Sequence, residues 1–391
     1  MIRNAATVFV YVSLVIGLSP LSISQTSKEL EDYFKNSVGL SNDQISDIRS
    51  GKAVGKVLKS RTPAEIFVFG AVYIDATPES YVQFATDFDR LSRLPEFLAI
   101  GKFSDPPQSP DLEGFQFDND DIKSLKECRP RHCEVQMPAE SIEDIHKSID
   151  WDAPDLDRRV NQHLHQRVIK GLEDYRRDGN QALGEYSDKE ILINVSKQFE
   201  YMLSYARVLP AYLPDLHRYL LAYPNAKSPN IEDMFYWAKV KFGLKPTLRV
   251  VQFVTFRGQS AEEPAYVIAE KQLYSSHYFE TALDLTFCLR GADDRKESGF
   301  YLIREMGSEQ AGLTGFKGSI VRKVAVGRSA SSLEKSLAAI KNVLESKPAA
   351  KSISANSLTA HRSATISGIT QVRPAAPIGD SQVQNQSCRR Q

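Results

Sequence analysis

Residues 65–82 read Glu65-Ile66-Phe67-Val68-Phe69-Gly70-Ala71-Val72-Tyr73-Ile74-Asp75-Ala76-Thr77-Pro78-Glu79-Ser80-Tyr81-Val82, and the change of rhythm inside them decides the fold. From Glu65 to Ile74 apolar side chains occupy both alternating faces, which predicts a strand covered on both sides. At Thr77 the rhythm turns helical. Thr77 is a good N-cap, Pro78 suits the first helical position, where no N–H partner is needed, and the Glu79 carboxylate favours the positive end of the helix dipole. Tyr81, Phe84, Ala85, Phe88 and Leu91 follow at helical spacing and give this helix a core face, and Pro95 ends it. A strand at 98–103 and a break at Asp105-Pro106-Pro107 come next.

Working outward, residues 108–230 carry helical patterns with little strand signal, such as Val160, Leu164, Val168, Leu172 and Tyr175. From 234 the strand pattern returns, at 234–242, 247–257, 265–274, 277–290, 299–306 and 319–326. Gly258, Gly291 and the triplet Gly312, Gly315, Gly318 fall in the breaks, the triplet reading as a flexible hairpin connection. A last helix, capped near Ser331, has Leu333, Leu337, Ile340 and Leu344 on one stripe. Upstream, Leu30, Tyr33 and Phe34 share a face of a short helical arm, and Ser41-Asn42-Asp43 supplies caps for its second turn. The predicted organisation is a signal peptide at 1–24, a helical arm at 25–59, an α+β domain at 60–107 and 231–346 interrupted by a helical insertion at 108–230, and a disordered tail at 347–391 rich in Ala, Ser, Thr and Pro.

The chain has 391 residues, 42% of them apolar and 25% charged, which is ordinary globular composition. Lys plus Arg equals Asp plus Glu at 49 each, so the basic surplus that marks a nucleic-acid binder is missing and no nucleic-acid partner is expected. Arg3, an apolar run from Ala5 to Leu18, and Ser22-Ile23-Ser24 form an export signal with cleavage expected before Gln25. The rival reading is an uncleaved anchor, against which the run falls short of the roughly 20 residues that span a bilayer. After cleavage no transmembrane segment is expected, and the mature protein is placed outside the cytoplasm, periplasmic or secreted. Cys128 and Cys133 flank Arg-Pro-Arg-His, and in an oxidising compartment a small-loop disulfide is expected there. A metal site with His132 is the alternative, but structural zinc wants four ligands and no second Cys/His pair lies nearby, so neither metal nor cofactor is expected. Cys288 lies in a strand-like run and Cys388 in the tail.

A strand, then the helix entered through Ile74-Asp75-Ala76-Thr77-Pro78-Glu79 and continuing to Asp87-Phe88-Asp89-Arg90-Leu91, then a run of antiparallel strands, then the stretch from Gly318 to Leu344, resembles the START-like, or polyketide cyclase (SRPBCC), superfamily. The resemblance covers about 60–105 and 231–346, with the helical block as an unusual insertion. It implies a curved antiparallel sheet gripping the C-terminal helix over a cavity, and a lipid, polyketide or other apolar small molecule as ligand. It leaves open whether the insertion lids the cavity, fills it or forms a separate lobe.

Standard catalytic signatures are absent: there is no Gly-x-Ser-x-Gly elbow, Walker loop or His-Glu-x-x-His. His163-x-His165 falls in a helical pattern, where residues two apart point in different directions. The stretch 277–290 predicts a strand with His277, Phe279, Thr281, Leu283, Leu285 and Phe287 on one face, so His277 and Thr281 are polar groups on an apolar wall, as ligand pockets have. Its other face, with Tyr278, Glu280, Ala282, Asp284 and Thr286, suits solvent or the helical block. Trp237 alternates with Lys239 and Lys241 and is the further ligand-binding candidate. Three functions are expected in descending order. The first is an exported binder of an apolar small molecule through His277, Phe279, Thr281, Leu283 and Trp237. The second is a cyclase- or hydrolase-type enzyme using His277 as general base with Tyr274 or Glu280. The third is an envelope protein whose contact is another envelope protein or a membrane surface.

Overall fold

The structure is a computed structural model that describes residues 23–189, 192–205, 209, 213–242, 245–259, 264–290 and 299–346. All of them belong to one compact unit, Met1–Lys347; the other unit, Pro348–Gln391, with Cys388 and nearly all of the tail, lies outside the described residues, as do residues 1–22, where the sequence predicts an export signal.

Eight strands form one curved sheet in the order β1-β2-β10-β9-β8-β7-β6-β3, every neighbouring pair antiparallel. They are β1 (Val54–Leu58), β2 (Glu65–Ile74), β3 (Phe97–Lys102), β6 (Ile231–Phe242), β7 (Lys245–Arg257), β8 (Tyr266–Ser275), β9 (Thr281–Arg290) and β10 (Phe300–Glu309). A two-stranded ribbon, β4 (Glu185–Tyr186) and β5 (Ile193–Asn194), lies apart. The described helices are α1 (Ile23–Asp32), α2 (Asn42–Arg49), α3 (Pro78–Thr86), α4 (Phe88–Leu91), α5 (Asn119–Glu127), α6 (Ala139–Ser148), α7 (Leu156–Asp178), α8 (Val195–Tyr205), α9 (Pro214–Ala222) and α10 (Gly315–Glu345). The fold class is α+β.

Both faces of the sheet are covered, as the two-sided apolar pattern of residues 65–74 predicts. On one face Val68, Val72 and Ile74 of β2, with Phe300 and Leu302 of β10, pack against Tyr81 and Phe84 of α3 and against Leu333, Leu337 and Ile340 of α10. On the other face Phe67, Phe69, Leu283, Leu285 and Ile303 meet Phe34 and Ile48 of the N-terminal arm and Phe199, Leu203, Leu216 and Leu220 of α8 and α9. Toward β6 and β7 the same face meets α5, α6 and α7 through Trp237, Leu248, Ile122, Ile142 and Leu164. The helical insertion is therefore a second layer across the sheet from α10. It is not a lid over the space between the sheet and α10.

α10 lies close on β1 and β2 because two glycines leave room. A Cβ on Gly70 would stand 2.7 Å from Leu333, and one on Gly55 would stand 2.5 Å from the Ala330 carbonyl oxygen. α2 begins on a capping box, with the Ser41 hydroxyl and the Gln44 side chain each accepting the other's backbone N–H.

Several expectations need correction. Residues 319–326 belong to α10, so the β-branched run Ile320-Val321 is helical, and Gly315 and Gly318 fall in its opening turns rather than in a hairpin. The stretch 25–59 is not wholly helical, since β1 pairs with β2 there. β9 begins at Thr281, so His277 and Phe279 lie in the β8–β9 connection and not on a strand face. The break follows from Tyr278, whose φ of 68° lies in the left-handed region and ends the extended run.

Candidate functional site

The face that α3 and α10 cover carries charged side chains in mid-strand. Glu270 of β8 lies directly opposite Asp284 of β9, and one strand further Arg304 of β10 lies opposite Thr286. Side chains in such register stand about 5 Å apart, so two carboxylates share one spot. Arg304 supplies the nearest positive charge, 3.8 Å from Glu270 and 4.0 Å from Asp284. The Tyr236 hydroxyl of β6 donates to Glu270 at 2.6 Å. The Arg304 Nε is buried and has no acceptor. Burial pushes the Asp284 carboxyl up to about 6, with Arg304 opposing and Glu270 reinforcing the shift. Tyr81, reaching in from α3, is raised to about 12 by burial. A carboxyl that exchanges its proton near neutrality within 4 Å of an arginine is an arrangement that acid–base chemistry and polar-group recognition both use.

A groove of about 820 Å³ opens beside this cluster, between α3 and the ends of β6, β7 and β8. Val82, Met234, Phe253 and Tyr266 form its apolar wall, and Lys102 and Arg257 stand with Glu232 and Asp233 at its polar parts. Phe253 is at once groove wall and the cross-strand neighbour of Glu270, and its ring lies 6.4 Å from that of Tyr236. The groove, with its one apolar wall, and the charged cluster are thus adjacent on one sheet face.

The five ligand candidates read from sequence sit elsewhere and do not converge. Thr281 and Leu283 begin β9 beneath α8, the Thr281 hydroxyl donating to Gln198 at 2.5 Å. Trp237 is buried, with its indole N–H donating to the Asp111 carbonyl at 2.6 Å and its ring edge-on to Phe115. Its neighbour Lys239 is not in free solution but paired to Asp118. Phe279 is half-buried in the β8–β9 connection. His277 is 5% exposed and its Nε2 lies 3.1 Å from Asp121 of α5, a partner 156 residues away that local pattern does not disclose. Opposite expectation, the strand face bearing Thr281 and Leu283 is the one under the helical block, and Asp284 and Thr286 face α3 and α10.

The same hidden face holds Lys271, fully buried, its Nζ bonded to Asn180 and, at 3.1 Å, to the Tyr175 hydroxyl, above the rings of Tyr175 and Phe199. Burial drops its amine to about 7. Cys128 and Cys133 form a disulfide, and Cys288 is buried and free. Among the described residues no group of three His, Cys, Asp or Glu side chains is placed to hold a metal ion, and no helix is long and apolar enough to cross a membrane.

Searches of protein-family models and of curated proteins return no match. Among solved structures the chain is similar to the Zhui aromatase/cyclase from Streptomyces sp. R1128, with 11% identity and a TM-score of 0.21 over 38% of this chain and 84% of that one. Likeness at that level carries no weight for function, which rests on the geometry above.

Proposed function

We propose that the protein binds an amphipathic small molecule on the α10-covered face of its sheet, the apolar part in the Val82–Met234–Phe253–Tyr266 groove and a hydroxyl or carbonyl head at the Glu270–Asp284–Arg304 cluster. One observation carries it: half-buried charges stand in mid-strand, and Glu270 lies directly across from Phe253, a wall residue of an 820 Å³ groove with both apolar and polar sides. Withdrawing three charged groups even partly from water costs desolvation energy, and pockets that hold apolar molecules combine apolar walls with a few placed polar groups. The disulfide and the N-terminal signal support a place outside the cytoplasm, where a membrane surface or envelope protein is the source or receiver of such a molecule.

The test uses prodan, a neutral naphthyl ketone whose fluorescence shifts to the blue on leaving water. Saturable binding by the full-length protein, weakened about tenfold or more by Phe253→Asp, is the expected outcome. No saturable blue shift in the wild type would contradict the proposal.

A second reading, an enzyme, is favoured by the Asp284 carboxyl at about 6 beside Glu270. In it Asp284 gives or takes a proton from the bound molecule while Arg304 holds developing negative charge. Turnover falling by a factor of 100 or more in Asp284→Asn with binding intact would distinguish it from simple carriage.

A further inference from the structure

On the sheet face under the helical layer, a row of polar side chains crosses three strands. Lys271 of β8 lies directly opposite Gln252 of β7, and Asp233 of β6 is diagonal to Gln252. Their hydrogen bonds run one way. The Lys271 Nζ donates to the Tyr175 hydroxyl at 3.1 Å, that hydroxyl donates to Gln252 Oε1 at 2.7 Å, and Gln252 Nε2 donates to Asp233 Oδ2 at 2.9 Å. A side branch reaches further into the layer. Lys271 also donates to Asn180 Oδ1, and Asn180 Nδ2 donates to the Leu220 and Leu221 carbonyls at the end of α9, at 3.2 and 2.9 Å. Tyr219 of α9 bonds the same Asp233 carboxylate. The chain therefore ties α7, α9 and the turn Gly179–Leu183 to β6, β7 and β8.

Its two ends differ. Asp233 is exposed and lines the groove described above. Lys271 and Gln252 are fully buried. Gln252 faces Lys271 from β7, Leu283 from β9, Tyr175 from α7, Asn180 from the turn and Phe199 from α8. Of these only Tyr175 titrates, and burial holds its hydroxyl far above its ordinary value, with Tyr219, Tyr223 and Asp233 around it adding to the shift. Among the described residues no carboxylate stands beside the amine, which burial alone shifts.

A neutral Lys271 amine has two N–H groups, and both have acceptors in Asn180 and Tyr175. An ammonium has three. The third would meet only the rings of Tyr175 and Phe199, whose centroids lie 5.2 and 4.8 Å from Nζ. A buried ammonium without a counter-charge is costly, and opening the layer to water relieves it.

We propose that this chain regulates the groove, on the binding role proposed above, through one proton: when Lys271 gains it the helical layer opens over the chain, and the groove, whose Asp233 rim the chain holds, grips its ligand less tightly.

The folded amine titrates at about 7 and the released one at 10.5, so from pH 8 to pH 6 the closed layer loses about tenfold against the open one. Two readouts on the full-length protein test this. Hydrogen-exchange protection of amides 176–183, without ligand, should fall about tenfold over that range. Prodan, which does not titrate there, should bind about three- to tenfold more weakly at pH 6 than at pH 8. Both responses should vanish in Lys271→Met, or in Lys271→Gln should the first not fold. These variants keep Asp284, so the difference from wild type belongs to Lys271. Tyr175→Phe, which breaks the chain, should keep the exchange response and lose the prodan response. Flat protection in the wild type, an equal response in the Lys271 variants, or prodan binding that ignores pH would overturn the proposal. No prodan binding at any pH would bring down the groove reading and its regulation together, and an intact exchange response would mark that case.

Discussion

Asp284 and Lys271 are neutralised by their surroundings in opposite senses, and both leave a mark on stability against pH. The Asp284 carboxyl titrates at about 6 in the folded chain and near 3.8 when unfolded. Between those values the folded protein holds the proton the unfolded chain has released, so its contribution is present at low pH and lost as pH rises through 6. Relative to Asp284→Asn, the wild type should lose on the order of 2 kcal/mol between pH 4 and 6, read by urea unfolding. Lys271 runs the other way: its amine lets go of its proton at about 7 when folded and at 10.5 when unfolded. Relative to Lys271→Met, the wild type should gain on the order of 1 kcal/mol per pH unit from about pH 7 to 10, and a flat difference would refute the buried, unpaired amine. Alternation along 281–288 was enough to sort Asp284 and Thr286 from Leu283 and Leu285. It did not tell which face would meet which layer, because side-chain period is a property of one strand and cover is a property of the whole fold. The available signal was the charge in mid-run: Glu270 after Val267-Ile268-Ala269, Asp284 between leucines, and Arg304 after Leu302-Ile303.

Elements were most legible where caps and period agreed. Thr77-Pro78-Glu79 and Ser41-Asn42-Asp43 each open a helix in the structure. α10 was half legible. Its Leu333–Leu344 stripe reads as helix, while Ile320, Val321, Val324 and Val326 carry strand preference that the continuous helix overrides. The β8–β9 connection was missed because Ser275-Ser276 is a weak turn signal and the left-handed Tyr278 has no signature in sequence. Docking of α10 on the β1–β2 edge depends on Gly70, so Gly70→Val should destabilise the fold by about 1–3 kcal/mol in urea unfolding. An unchanged midpoint would mean that α10 does not lie against β2 as closely as described.

At the scale of the molecule, the two-sided apolar character of residues 65–74 announced cover on both faces, and composition announced an ordinary globular core. The His277–Asp121 pairing and the Lys271–Tyr175 bond join residues 156 and 96 apart and exist only once the insertion is folded across the sheet. The helical layer covers one face of the sheet, and the proposed function puts an amphipathic molecule on the other, the α10 face. Methyl NMR of the full-length protein during prodan titration separates the two faces directly. The account predicts saturable shifts at Val82 and Met234, with Leu283 and Leu285 unmoved. Shifts at Leu283 and Leu285 with Val82 and Met234 silent, or no saturable shift at all, would contradict it.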